Sequence, residues 1–233
     1  MPEVENNDKD IGSVFDLIPK SYELVKRNWL PFLVVNIFTV LSAIAAVFDR
    51  STKEDQNFLA NNPFANLSGA ELTSGALLFL GFIIISLYLF VMATILEVET
   101  VKKHKPGVKH LFDKAKQYFL PMTGLLIISG AIVALGLILL IIPGLIALVR
   151  IIMAPYFMVD KKLGVFDALK ASNEMGKQHF WQVAAAVALM FLIAIVTSLL
   201  GAIPIVGALL GAAITIATAL IIALRYQQLR KVS

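Results

Sequence analysis

Residues 120–160 form an apolar run of about forty residues, the feature that most constrains how this chain can fold. Before its last residue the run carries a single charge, Arg150. About twenty apolar residues cross the hydrocarbon core of a bilayer, so the run is long enough for two crossings. Pro143 and Gly144 stand at its middle and predict a tight turn between two spanning helices. Pro155 lacks a backbone N–H and predicts a bend in the second helix.

The composition places the chain among membrane proteins. Hydrophobic residues make up 58% of it and charged residues 15%, whereas soluble domains carry about 25% charged residues. Cysteine is absent, which excludes disulfides and thiolate chemistry. The net charge of +4 comes from residues beside the apolar runs, so it favours anionic lipid over nucleic acid as a partner.

Two further pairs of apolar runs flank the central pair, and a polar segment precedes each pair. We predict an all-α polytopic membrane protein with six transmembrane helices in three hairpins, each preceded by a cytoplasmic amphipathic helix at the interface. The predicted spans are residues 29–48, 75–96, the two halves of 120–160, the run after Trp181 up to residue 200, and 205–224. The predicted amphipathic helices are residues 13–28, 107–118 and 164–179. Residues 1–12 are predicted as a disordered acidic tail, and residues 13–233 as one integral membrane domain.

The Lys and Arg residues lie on one side of the predicted spans. All of them except Arg50, Lys53 and Arg150 fall in the N-terminal segment, in the two connectors between the pairs or in the C-terminal tail. Cytoplasmic loops of membrane proteins carry an excess of Lys and Arg. The sequence therefore predicts both termini in the cytoplasm and an even number of spans.

The chain also carries signs of a threefold repeat. Three residues of the first polar segment recur in the third, and three later positions match in the same register. The matched sets are Val14-Phe15-Asp16 with Val165-Phe166-Asp167, and Ser21, Glu23 and Lys26 with Ser172, Glu174 and Lys177. We interpret residues 13–106, 107–163 and 164–233 as degenerate copies of one unit.

In each unit a lysine and then an aromatic residue stand just before the first span. Lysine reaches toward anionic headgroups, and aromatic rings settle at the membrane boundary. We predict these residues to be interface anchors, and a specific headgroup site where the three polar helices meet is the alternative. The anchors are Lys26, Trp29, Lys116, Phe119, Lys177, Phe180 and Trp181.

Arg150 is the first candidate functional residue. On a straight helix through residues 144–160 it lies about 9 Å from one end and about 15 Å from the other, close to mid-membrane. An arginine there costs about 2.5–3.5 kcal/mol, so we expect it to face the bundle. Asn36, Tyr88 and Thr215 lie at similar depth and are its predicted neutral hydrogen-bond partners. The residue then serves either an anion or headgroup site between helices or a structural role.

Gly207 and Gly211 place small residues one turn apart on the last span. This spacing lets the backbones of two helices approach closely. We predict that it serves packing within the bundle, and a homo-oligomer or another membrane protein as partner is the alternative.

Motifs that would support catalysis are missing from the sequence. It has no nucleophile elbow, no phosphate-binding glycine loop and no HExxH zinc motif. The histidines His104, His110 and His179 have no metal-ligand spacing. We therefore predict no catalytic residue, no metal site, no cofactor and no enzymatic activity.

A set of residues from the central run to the third polar segment resembles a bacterial family of multipass proteins grouped with the membrane domain of glycerophosphoryl diester phosphodiesterase. The resemblance rests on Ile141-Ile142-Pro143-Gly144, Arg150, Ala154-Pro155-Tyr156, Gly164, Asp167-Ala168-Leu169-Lys170-Ala171-Ser172 and Phe180-Trp181. It implies a membrane fold, a location in the bacterial cytoplasmic membrane and a lipid-related role. The chain has none of the metal-binding acids of the soluble phosphodiesterase domain, so the resemblance implies no such activity.

Together these features favour a non-enzymatic integral membrane protein that interacts with lipids or acts as a scaffold component. The alternative is a permease or a flippase-like conduit for a small anionic or lipid substrate, which would use Arg150 and the bend at Pro155.

Overall fold

The described part of the chain is entirely helical. The computed structural model describes residues 12–37, 41, 69–201 and 206–232, and no strand occurs within these ranges. Five stretches there are long and apolar enough to cross a membrane, which confirms the predicted all-helical, multi-pass character at this level. They are Ala76–Val101, Val108–Leu139, Ile141–Lys161, Phe180–Leu200 and Leu210–Val232. Half of the predicted first span, residues 29–48, lies outside the described residues.

Ten α-helices follow a short 3₁₀ turn, Val14–Asp16. They are α1 Leu17–Arg27, α2 Trp29–Val35, α3 Gly69–Val101, α4 Val108–Leu139, α5 Ile141–Ile151, α6 Ala154–Lys161, α7 Val165–Gln178, α8 Phe180–Gly201, α9 Val206–Thr218 and α10 Ile221–Val232, counted within the described ranges.

The middle polar segment departs from its prediction as a separate amphipathic helix. It begins α4 and runs on into the span without a break. Helices α1 and α7 do end before their spans, at Asn28 and His179, where the backbone leaves the helical region. The Asn28 amide donates to the carbonyl oxygen of Leu24 at 3.1 Å, a local bond that competes with helix continuation. Tyr118 holds the matching place in α4 and has no such side-chain amide.

The central turn lies at Leu140 and not, as predicted, at Pro143 and Gly144. Leu140 is extended, with φ −165° and ψ 148°, and Pro143 sits in the first turn of α5. The N–H groups of a first turn have no partner within the helix, so proline costs nothing there. A Cβ on Gly136 would lie 2.8 Å from the Cα of Gly144. The backbones of α4 and α5 therefore touch beside the turn.

Two of the crossing stretches consist of two helices each, where the sequence predicted single spans. Helices α5 and α6 meet at residues 152–153, and α9 and α10 meet at residues 219–220. Pro155 lies in the first turn of α6, so the first break comes just before this proline. Before the second break, the Thr218 hydroxyl donates to the carbonyl oxygen of Ile214 at 2.7 Å, a type of bond that bends helices.

A buried serine of a polar helix binds beside each break. The Ser172 hydroxyl donates to the carbonyl oxygen of Arg150 at 2.8 Å. The Ser21 hydroxyl donates to the carbonyl oxygen of Ala217 at 2.6 Å and accepts from the N–H of Leu220 at 3.3 Å. Backbone groups freed by a break inside a membrane need such partners. The two serines thus fasten α7 to α5, and α1 to the α9–α10 junction.

The three polar segments and the helices that follow them bury matching positions. The positions eight and four residues before each aromatic anchor, and three and six residues after it, are buried in all three units. They are Ser21, Val25, Phe32 and Val35; Leu111, Ala115, Met122 and Leu125; and Ser172, Gly176, Val183 and Ala186. Helix α1 packs against α9 and α10, the start of α4 against α3, and α7 against α5 and α6.

Gly176 occupies a place in α7 where a methyl group has no room, because its Cβ would lie 2.6 Å from the Cα of Arg150. We expect Gly176→Ala to lower the free energy of unfolding by about 1–3 kcal/mol, since α7 must move away from α5. The measurement is thermal unfolding in detergent.

Gly124→Ala in α4 is the matched control, because a Cβ there would meet nothing within 4 Å. Alanine is favoured over glycine inside a helix by about 1 kcal/mol, so this variant should be as stable as the wild type or more so. Equal unfolding temperatures for the two variants would contradict the close contact of α7 with α5.

Candidate functional site

Arg150 lies in the last turn of α5 and faces α7. Its carbonyl oxygen accepts the Ser172 hydroxyl, and its Cα lies against Gly176. The side chain is partly buried, and its Nε is buried with no hydrogen-bond partner among the described residues. A buried polar group without a partner costs about 1–3 kcal/mol, and more when it is charged. Arg150 is therefore held in place through its backbone while its guanidinium retains an unused donor.

The Arg150 side chain opens into a groove of about 700 Å³ between α4, α5 and α7, which we call the Arg150 groove. Lys170 and Asn173 of α7 join Arg150 as its polar residues, and its described lining contains no carboxylate. The remaining lining residues are Ile132, Pro143, Ile146, Ala147, Ile151 and Leu169. Two cations therefore stand at the polar part of a groove with apolar walls, an arrangement suited to an anion that carries an apolar tail.

The neutral partners predicted for Arg150 make other bonds. The Asn36 amide donates to the carbonyl oxygen of Phe32 at 2.9 Å, and the Thr215 hydroxyl donates to that of Gly211 at 2.9 Å. The Tyr88 hydroxyl donates to the carbonyl oxygen of Phe112, in α4, also at 2.9 Å. The depth estimate assumed one straight helix through residues 144–160. This premise is wrong, because α5 ends just after Arg150 and the chain restarts as α6.

The predicted small-residue contact in the last span falls within this chain. A Cβ on Gly211 would lie 3.5 Å from the carbonyl oxygen of Thr197, so α9 meets α8 at this position. Gly207 lies one turn earlier in α9.

The predicted anchors differ in what they contact. Trp29 and Trp181 are largely exposed, at 61% and 79%, and the rings of Phe180 and Trp181 meet edge to face at 5.4 Å. The Phe119 ring lies 5.9 Å from that of Tyr88, so this anchor packs against α3. The three anchor lysines, Lys26, Lys116 and Lys177, are all exposed.

A second polar cluster, which the sequence did not predict, centres on Asp160 at the end of α6. Its side chain is 1% exposed and forms ion pairs with Lys102 and Arg230. The Tyr226 hydroxyl donates to the same carboxylate at 2.7 Å. We call these four residues the Asp160 cluster. It joins the end of α6 to α10 and to the turn after α3.

Further polar bonds surround the Asp160 cluster. The Tyr156 hydroxyl donates to the Glu97 carboxylate at 2.7 Å, joining α6 to α3. Glu99 pairs with Lys114, and His104 Nδ1 lies 2.7 Å from the other oxygen of that carboxylate. The one-sided distribution of Lys and Arg could place these charges on one side of the membrane. Which residues pair could not be predicted from the sequence, because the partners are far apart in it.

The two polar sites differ in how their charges are paired. Within the described residues, no group of three His, Asp or Glu could hold a metal ion. In the Asp160 cluster both cations are paired with the one buried carboxylate, and this cluster therefore serves to join helices. Arg150 and Lys170 have no carboxylate in their groove, which makes the Arg150 groove the stronger candidate for binding.

Comparison with known proteins adds one distant relative. The chain is 25% identical over 162 residues to a UPF0259 membrane protein of Pectobacterium carotovorum subsp. carotovorum (strain PC1). The match covers 67% of this chain and 58% of the relative, so the chain spans somewhat under three fifths of that protein. No family model and no solved structure matches the chain. The relative supports a bacterial membrane location, and the resemblance to the glycerophosphoryl diester phosphodiesterase membrane domain stays a prediction.

Asp160→Asn should destabilise the protein, because it removes the negative charge that Lys102 and Arg230 share while leaving both cations in place. The two cations are 35% and 45% exposed and regain some water, so we expect a loss of about 1.5–3 kcal/mol. Thermal unfolding in detergent measures it.

Asp113→Asn is the matched control, since Asp113 is 62% exposed and lies 3.9 Å from Lys116. Exposed pairs of this kind contribute about 0–1 kcal/mol. A loss in Asp160→Asn no larger than that of the control would contradict the joining role of the Asp160 cluster.

Proposed function

We propose that this protein is a non-enzymatic, multi-pass protein of the bacterial cytoplasmic membrane that binds an anionic lipid in the Arg150 groove. The observation that carries the proposal is the buried Nε of Arg150, which has no partner among the described residues. A buried donor without a partner is costly, so a ligand that supplies the missing acceptor gains that free energy on binding. Lipid phosphates are abundant anions at the edge of the hydrocarbon core.

A contrast with three cations that pair with carboxylates supports a ligand over a purely structural role for Arg150. Lys102 and Arg230 share Asp160, and Lys114 pairs with Glu99. The lining of the Arg150 groove instead adds a second cation, Lys170.

Six spans in three hairpins, with both termini in the cytoplasm, remain our proposal for the topology. The Asp160 cluster supports it, since it gathers Lys102, the end of α6 and the C-terminal Arg230, all assigned to the cytoplasmic side by the distribution of Lys and Arg. The touching backbones of Gly136 and Gly144 support a close pairing of α4 with α5.

We also propose that the chain is built from a threefold repeat. Buried positions recur in register in the three units, and Ser21 and Ser172, which match in sequence, both donate to a carbonyl beside a helix break. Leu111 holds the matching place in the middle unit, and α3, against which this segment packs, runs on without a break. Each polar segment would then pack on the second span of the unit before it. The polar segment of the first unit would pack on the second span of the third unit.

Arg150→Gln should weaken the binding of phosphatidylglycerol by about tenfold or more, which corresponds to a loss of about 1.4 kcal/mol. Glutamine keeps a polar side chain but removes the charge that attracts phosphate. Native mass spectrometry of the protein released from mixed bilayers of phosphatidylglycerol and phosphatidylethanolamine measures the retained lipid.

Lys231→Gln removes one charge from an exposed residue outside the groove and is the control. An equal loss in both variants, or a wild type without preference for the anionic lipid, would rule out the proposed site.

The topology is tested by labelling single cysteines in the membrane, which the cysteine-free sequence allows directly. Lys103→Cys and Lys170→Cys should react with an impermeant reagent from the same, cytoplasmic side. In the proposed topology two spans precede position 103 and four precede position 170, so both lie on the side of the N-terminus. Lys53→Cys should react only from the opposite side. Reaction of positions 103 and 170 from opposite sides would disprove the arrangement.

A conduit for a small anionic or lipid substrate is the second candidate function. The break between α5 and α6 beside Arg150 favours it, because discontinuous spans form the binding sites of many transporters. Movement of a fluorescent anionic lipid between leaflets in reconstituted vesicles would distinguish it from a protein that only binds lipid.

A further inference from the structure

We infer that the lipid held at Arg150 is a two-chain phospholipid whose acyl chains lie on opposite flanks of α5. The inference rests on the proposed function and adds to it the class of lipid. It follows from a second groove beside the first, from the helix that separates them and from the charges at one end.

The second groove has a volume of about 550 Å³ and lies between α5 and α8. Its described lining is wholly apolar and includes Leu145, Val149, Ala184, Ala188 and Phe191. A surface of this composition has nothing to offer a headgroup, and it suits a hydrocarbon chain.

The two grooves share one wall. Ile146 lines both of them, with Pro143 and Ala147 on the flank toward the Arg150 groove and Leu145 and Val149 on the other. Residues four apart on a helix lie on one stripe, so residues 142, 146 and 150 form a ridge along α5. The ridge from residue 142 to residue 150 is about 12 Å long. Arg150 therefore stands at the end of the ridge that divides the grooves.

The charges fix which end of the ridge receives the headgroup. Arg150 and Lys170 lie together at the Arg150 end, and Asn173 adds an amide that can donate to a further oxygen. A phospholipid whose phosphate binds here places its glycerol at the start of the ridge. The two acyl chains on that glycerol can then follow the two flanks, one on each. A single-chain phosphate would leave the α5–α8 groove empty.

The test compares three lipids by native mass spectrometry: phosphatidylglycerol, its single-chain lyso form and phosphatidylethanolamine. For the wild type we expect the two-chain anionic lipid to be retained about tenfold more than the lyso form, which has the same headgroup. Ala188→Phe, which fills the α5–α8 groove from an exposed position of α8, should bring that ratio close to one and leave retention of the lyso form unchanged.

Ala194→Phe, at an exposed position of the same helix outside the described lining of the groove, is the control and should keep the wild-type ratio. Arg150→Gln should lower retention of both anionic lipids in equal proportion.

The outcomes separate the two proposals. If phosphatidylglycerol is not preferred to phosphatidylethanolamine, the proposed function itself is overturned. If it is preferred but the lyso form is retained equally well, or if Ala188→Phe keeps the wild-type ratio, anionic-lipid binding stands and the two-chain inference is overturned.

Discussion

The bond between a buried serine and a freed backbone carbonyl is the interaction on which this architecture depends. A membrane offers no water to a broken helix, so each break needs a donor from elsewhere in the chain. Ser172 and Ser21 supply it from polar helices, at 2.8 Å and 2.6 Å. Each bond holds a polar helix against a span at a fixed height. The Arg150 groove exists because α7 is held in this way beside α5.

Charge is used in two different ways in this molecule. Around Asp160 the cations meet buried carboxylates and hydroxyls, and the bonds join three helices, α3, α6 and α10, at one end. Around Arg150 two cations share an apolar groove that has no acid in its described lining. Satisfied charges stabilise a fold, whereas an unsatisfied buried donor raises its free energy until a ligand arrives. This difference is the reason for assigning assembly to the first region and binding to the second.

Hydropathy predicted five of the crossing stretches, with the start of α4 and the end of α10 misplaced, and the position of Pro and Gly predicted the central turn to within a few residues. Such patterns average over many residues and therefore miss local events. The ends of α1 and α7 depend on Asn28 and His179, and a tyrosine at the same place in α4 lets the helix continue. The depth estimate for Arg150 assumed one straight helix, whereas the chain breaks at residues 152–153, just before Pro155. The Asp160 pairs were missed because their partners are distant in sequence.

The contact between Ser21 and Ala217 spans 196 residues of chain, and it has a consequence for biosynthesis. Helix α1 leaves the ribosome well before the surface that receives it, because the residues between them are made first. Its apolar face must stay exposed to lipid or water during that interval, so the packing of α1 onto the α9–α10 junction comes after the intervening helices have been made.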